Sequence, residues 1–191
     1  SDTSILGVAF GVGVSTGKFS GAGSISIAGI QNKVVAEVGQ SLVAGVATIL
    51  TAPTVTISST DDSDINTLAG QVNVSFKASA LGAAFAYNEI DNEARAIADN
   101  ATIKASNTVE ITATEKANIS SLSAAIGAAK ESAVILSASL NFISNATEAR
   151  LSSSLTEDGS SGTNTVKIKT SDTSTIESIS GSAARSGESR V

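Results

Sequence analysis

The chain has 191 residues, a formal charge of -6, and no cysteine, histidine, methionine or tryptophan. Disulfides, Cys/His zinc or haem sites, and Ser-His-Asp or Cys-His nucleophiles are excluded on that count. The acidic balance tells against nucleic acid, which is held by clustered Lys and Arg.

Apolar residues make up 41% of the chain but aromatics only 3%. Most of the apolar content is Ala, Val and Ile, diluted with Ser, Thr and Gly, which suits a thin stack of strands better than a core of Leu, Phe and Trp. The mean hydropathy of +0.21 opposes disorder. The longest apolar run, Ala133 to Ile143, is interrupted by Ser137, Ser139 and Asn141, well short of a spanning helix. No leader of the charged-then-apolar kind opens the chain. It reads as an internal piece of something longer, with no amphipathic or apolar membrane-active segment.

Self-similarity organises the elements. An Ile-x-Asn landmark recurs at Asn32, Asn92 and Asn145. A Val-x-Ile strand recurs from Val55, Val109 and Val166, and Ile-x-x-Leu/Ile recurs from Ile65, Ile119 and Ile176, with Asp2 to Ile5 as a weaker fourth copy. A lysine precedes each Asn landmark: Lys18, Lys77 and Lys130. The period is roughly 53 to 63 residues, dividing the chain into repeats 1–63, 64–117 and 118–174 with a partial copy at 175–191.

In chain order, Ser24 to Ile27, Val72 to Phe76 and Val109 to Thr112 alternate with period two, the mark of half-buried strands. Ala-rich Leu122 to Leu140 favours a helix by propensity, but its counterparts, 7–27 and 70–85, are rich in Gly and β-branched residues, so it too is read as strand. Turns are expected at Thr16 to Lys18, Thr60 to Ser63, Asp99-Asn100 and Glu157 to Asn164, the last as a protruding insertion. The fold expected is all-β: a parallel, right-handed β-helix or β-solenoid with no proline in its strands. Three coils of about 19 residues per repeat would stack into a rod on the order of 50 Å long. A two-sheet sandwich within each repeat ranks second, because Asp158-Gly159 is the lone hairpin-type dipeptide.

The string Asp61-Asp62-Ser63-Asp64-Ile65-Asn66-Thr67-Leu68-Ala69-Gly70, followed by Asn88-Glu89-Ile90-Asp91-Asn92, resembles repeats of large Gram-negative exoproteins of the filamentous-haemagglutinin and leukotoxin types, autotransported or secreted by two-partner systems. The resemblance implies a secreted, cell-surface adhesive stalk, with the body of a leukotoxin-like cytotoxin as the alternative. A host-cell or matrix surface is the expected partner of such a stalk, and the open ends of a β-helix are expected to be covered by neighbouring repeats or to pair end to end with further copies as a filament. The resemblance brings no active-site residues and no cofactor.

Several residues carry candidate chemistry, each weighed against a plainer role. Asp61, Asp62 and Asp64 offer oxygens for calcium but lack calcium-loop spacing, and read as a solvated turn. Asn32, Asn92 and Asn145 read as turn residues bonding their own loops, about 14 Å apart if each repeat is three coils. The three lysines read as edge or turn charges rather than a polysaccharide-binding line. Arg95 and Arg150, at matching places beside Glu93 and Glu148, read as surface ion pairs. Thr54 with Thr56, and Thr112 with Thr114, suggest a hydroxyl array that Lys167 and Lys169 break. Glu89 and Asp91 are the nearest thing to a catalytic carboxylate pair, and a solvated turn explains them better. The sequons at Asn73, Asn100, Asn118 and Asn145 are expected by chance in so Ser/Thr-rich a chain. The chain is not expected to be an enzyme.

Overall fold

The computed structural model describes residues 1–39, 48–152, 155–157 and 165–187, and within them every regular element is a strand. In chain order these are β1 (Asp2–Ser15), β2 (Phe19–Val38), β3 (Thr48–Ser75), β4 (Ser79–Asp99), β5 (Ala101–Ala129), β6 (Ser132–Ser152), β7 (Leu155–Glu157) and β8 (Thr165–Ser186). They form two sheets paired in parallel throughout. One runs β1-β3-β5, with β7 and β8 both on β5; the other runs β2-β4-β6. An odd strand and the even strand after it make one tier, and the two sheets face each other across a continuous interior.

The register explains the repeat. Ile5, Ile65, Ile119 and Ile176 stack in one column, as do Val55, Val109 and Val166. Ile30, Ile90 and Ile143 form a matching column in the other sheet. Each repeat therefore supplies one long strand to each sheet, and the division into three short coils is wrong. Three tiers at about 4.8 Å are only some 15 Å high, whereas the 28-residue β3 has a contour of about 90 Å at about 3.3 Å per residue. The long dimension lies along the strands, not up the stack. The two-sheet arrangement holds across repeats rather than within each.

Turns at residues 16–18, 76–78 and 130–131 join the sheets at one end. They stack through backbone bonds: Phe76 N–H to the Ser15 carbonyl at 3.0 Å and Glu131 N–H to that of Ala78 at 3.0 Å. At the far end Asn100 turns the chain with φ 54°, a conformation Asn tolerates. Leu122 to Leu140 is strand on both sides of the Lys130–Glu131 turn. Two expectations fail here. Thr60 to Ser63 is strand, inside β3. Pro53 also lies in β3, where its missing N–H coincides with a register shift between Ala52 and Thr54. Most of the expected insertion, 158–164, lies outside the described residues.

The interior changes character along each strand. Val55, Ile57, Ile103, Val109 and Ile111 pack with Ala96 and Ala98 in one cluster; Ile30, Ile65, Ile90 and Ile119 make a second. Toward the 16–18 turn the inward residues become mostly small: Ala69, Ala84, Ala86 and Ala125 pack with Ile135. There the sheets close until a Cβ on Gly11 would sit 2.3 Å from the Gly23 carbonyl oxygen, and one on Gly13 2.5 Å from that of Gly21.

Candidate functional site: a buried acid and amide ladder

Between the two isoleucine-rich clusters lies a polar layer. Asp61, Glu115 and Asp172 are register partners in the first sheet. Asn32, Asn92 and Asn145 are register partners in the second and face them. The asparagines thus stack directly, one strand spacing apart, rather than about 14 Å apart in loops of their own. Only Asn100 among the described non-glycine residues has positive φ.

Their amides bond across the interior. Asn32 Nδ2 donates to Thr3 Oγ1 (3.1 Å), Asp61 Oδ1 (3.0 Å) and Ser63 Oγ (3.1 Å). Asn92 Nδ2 donates to Asp61 Oδ2 (2.8 Å) and Ser63 Oγ (2.9 Å), and its Oδ1 accepts the Asn32 backbone N–H at 3.0 Å. Asn145 repeats the pattern with Asp172 (3.3 Å) and Ser174 (2.9 Å). Ser63 Oγ completes Asp61 by donating at 2.8 Å. This is how a fully buried Asp61 is tolerated: its carboxylate accepts from two amides and a hydroxyl.

Glu115 is different. It is fully buried between Ala113 and Ala117, and neither carboxylate oxygen makes a well-formed hydrogen bond. Desolvation, then the charges of Asp61 and Asp172, push its carboxyl up to about 7, offset only by the Asn92 amide. Around neutral pH its neutral and charged forms are therefore close in free energy.

The other candidates fall elsewhere. Asp61 points inward while Asp62 and Asp64 point outward, as strand alternation requires, so the three do not converge, and none stands in a solvated turn. Asp62 instead pairs with Lys116 at 3.0 Å. Lys18 and Lys77 lie in stacked turns and Lys130 opens the equivalent one. Lys33, Glu93, Arg95, Glu148 and Arg150 form a chain of ion pairs at 2.7 to 3.4 Å. Arg95 and Arg150 are not equivalent, however, since Arg95 opposes Glu148 and Arg150 opposes Ile97. Lys33, hydrogen-bonded to Glu93, is the main cause that holds that carboxyl below its usual value. The two threonine pairs are not register partners: Thr54 opposes Thr108, Thr114 opposes Thr60, Thr112 opposes Ser58, and Thr56 opposes Glu110, which interrupts the hydroxyl run. Glu89 and Asp91 lie in β4, not in a turn, on one outer face; Glu89 accepts from the Tyr87 hydroxyl at 2.9 Å and Asp91 from Gln31 at 3.3 Å. Asn73 is buried, donating to the Ser20 carbonyl (3.0 Å) and the Leu81 carbonyl (2.6 Å).

Glu115 and Asp172 were the residues sequence reasoning missed. The signal was available: Glu115 stands one repeat spacing from Asp61 and Asp172 one from Glu115, a coincidence that becomes contact once a repeat is one tier. No protein-family model, curated protein or solved structure matches the chain.

Proposed function

We infer that the chain is a stalk segment of a large secreted bacterial surface exoprotein, a right-handed parallel β-solenoid that extends by adding tiers to its open edges and, at high concentration, joins end to end into fibres. The observation that carries this reading is the unfinished stack. Inward columns that are sealed in β5 run out exposed in β8: Val166 is 39%, Ile168 48% and Ile176 48% exposed. A further tier in the same register would bury them and pair the free backbone of β8. The buried side chains serve packing and register, which fits a mechanical and adhesive role outside the cell, against a host-cell or matrix surface, better than catalysis.

The test is electron microscopy of the purified chain across concentrations, with circular dichroism on the same samples. Flat β-rich stacks that lengthen with concentration, and that Ile168→Glu shortens, are expected. Particles of constant size at every concentration, or lengths indifferent to Ile168→Glu, would overturn end-to-end extension. The exposed apolar residues near the 16–18 turn support a second reading, the body of a leukotoxin-like cytotoxin.

A further inference from the structure

In the half of each tier next to the 16–18, 76–78 and 130–131 turns, the usual polarity of a sheet is inverted. Large apolar side chains point out and, Ile135 apart, small or polar ones point in. On the first sheet Leu6, Val8, Phe10, Val12 and Val14 are each at least 63% exposed, and Leu68, Leu122, Ile126 and Ile179 continue the face. A shallow groove runs between Leu6, Leu68, Leu122 and Ile179, with Asn66 and Glu177 also lining it. On the second sheet Phe19, Ile25, Ile27, Leu81, Leu136 and Phe142 are exposed. Inside, Ser20, Ser24, Ser26, Gln71, Asn73, Asn88, Ser121 and Ser123 are buried. Many of them bond one another: Thr67 Oγ1 to Ser121 Oγ at 3.0 Å, Asn88 Nδ2 to Thr67 Oγ1 at 2.9 Å and to Asn141 Oδ1 at 2.7 Å.

The exposure of Val166, Ile168 and Ile176 has another cause, since those belong to interior columns at the end of the stack. The inverted band runs through β1, β3 and β5 on one outer face and β2, β4 and β6 on the other; in β8 the positions opposite Ser120 and Ala128 are Glu177 and Arg185.

We propose that this band is lipid-facing, and that the turn-proximal half of the tiers inserts edge-on into an anionic phospholipid bilayer. Four observations choose lipid over a second protein surface. The apolar residues cover both broad faces of a thin leaf; a flat partner or a face-to-face copy would cover one, while a bilayer covers both. The run from Leu6 to Val14 rises about 27 Å, and those from Phe19 to Ile27 and Val134 to Phe142 match it, close to the roughly 30 Å hydrocarbon layer. Outward-apolar, inward-polar alternation over about 9 to 11 residues is the signature of a lipid-exposed strand.

Charge and aromatic placement agree. Within 6–29, 67–88 and 120–142 the charged residues are Lys18, Lys77, Lys130 and Glu131, all at the turns, while β8 adds Glu177 and Arg185 in the last tier. At the turns the net positive charge meets phosphate headgroups once the tip has crossed. All five phenylalanines and the tyrosine fall in this half. Phe19 and Phe76 flank the turns, and Tyr87 stacks near Phe142, 5.7 Å between ring centres, at the opposite margin, as interfacial aromatics do. Backbone groups between strands of the band are paired by the parallel ladder, and the outer edges would be paired by further tiers, so the insertion rests on the stacking proposed above.

The chain has no tryptophan, so single reporters are clean. Val12→Trp and Ile27→Trp sit in the band, on opposite faces; Thr56→Trp sits on the polar half of β3. Each is mixed with phosphatidylcholine vesicles containing phosphatidylglycerol, and with the same vesicles carrying brominated acyl chains. Flotation with the vesicles and bromine quenching of the two band reporters, but not of Thr56→Trp, are expected. A Val12→Ser/Ile27→Ser double variant, altered only at exposed positions, should keep its β spectrum and unfolding midpoint while vesicle partitioning falls about 100-fold. No flotation, equal quenching of all three reporters, or shielding of the band in a concentration-dependent dimer without lipid would each overturn the proposal.

Discussion

Glu115→Gln isolates the one buried carboxyl that the ladder does not satisfy. Unfolded, a glutamate titrates near 4.5; in the folded chain the proton is held up to about 7. Between those values the folded state binds a proton that the unfolded state has lost, so this group's contribution is full below about 4.5 and is lost as pH rises through about 7. At about 1.36 kcal/mol per unit, the window is worth about 3 kcal/mol. Glutamine keeps the shape, cannot ionise, and presents an amide to the Asp61 and Asp172 carboxylates on either side. Urea unfolding followed by far-UV circular dichroism, from pH 4 to 8, should show the variant and the parent converging at the acid end. At pH 8 the variant should be more stable by about 3 kcal/mol. Other carboxyls, Glu93 among them, contribute to both curves alike and cancel in the difference. Curves that run parallel across the whole window would refute the claim that Glu115 is buried charged at a cost.

Asn92→Ala should cost about 3 kcal/mol at neutral pH in the same assay, because Asp61 and Ser63 lose a shared donor in a site water does not reach. Gly11→Val should cost more than about 2 kcal/mol by wedging the sheets apart, whereas Gly23→Ala, whose Cβ would lie 3.6 Å from the nearest atom, the Ala83 carbonyl oxygen, should be nearly neutral in thermal unfolding. Ile111→Ala should cost about 2 to 5 kcal/mol, while Ile27→Ser, at a 73% exposed position, should stay within about 0.5 kcal/mol by denaturant titration.

The repeat was legible because its landmarks are the columns: Val55, Val109 and Val166, or Ile65, Ile119 and Ile176, are partners one strand apart. What one repeat spans was not legible, since a 53-residue period fits one long tier or several short coils equally well by arithmetic. Strand polarity was hidden for a related reason. Ser24-Ile25-Ser26-Ile27 and Val109-Glu110-Ile111-Thr112 carry the same period-two signal, yet Ile25 and Ile27 face out while Val109 and Ile111 face in. Alternation says that two faces differ and not which of them is covered. The acid cluster was misplaced because Asp-rich strings favour turns; nothing local announces that Asp61 has two amides waiting across the interior.

The polar ladders are best understood as the devices that fix register where packing cannot. In the isoleucine-rich half, a slip of one residue would turn Ile65, Ile111 and Ile119 outward and Asp62 and Lys116 inward, a large penalty. In the half near the turns the inward residues are mostly Ala, Ser and Gly, with Ile135 as the large apolar side chain among the buried ones. A slip of two there exchanges one small side chain for another, and burial alone scarcely resists it. Asn73 and Asn88 supply the missing specificity: each amide has fixed partners on the facing sheet, the Ser20 and Leu81 carbonyls for Asn73 and Thr67 for Asn88. A slip would leave these groups buried without them, at about 1 to 3 kcal/mol apiece. The inward amides and the outward apolar residues are then two sides of one design. Moving large side chains to the outer faces thins the leaf, and a thin leaf needs polar contacts to keep its strands in step.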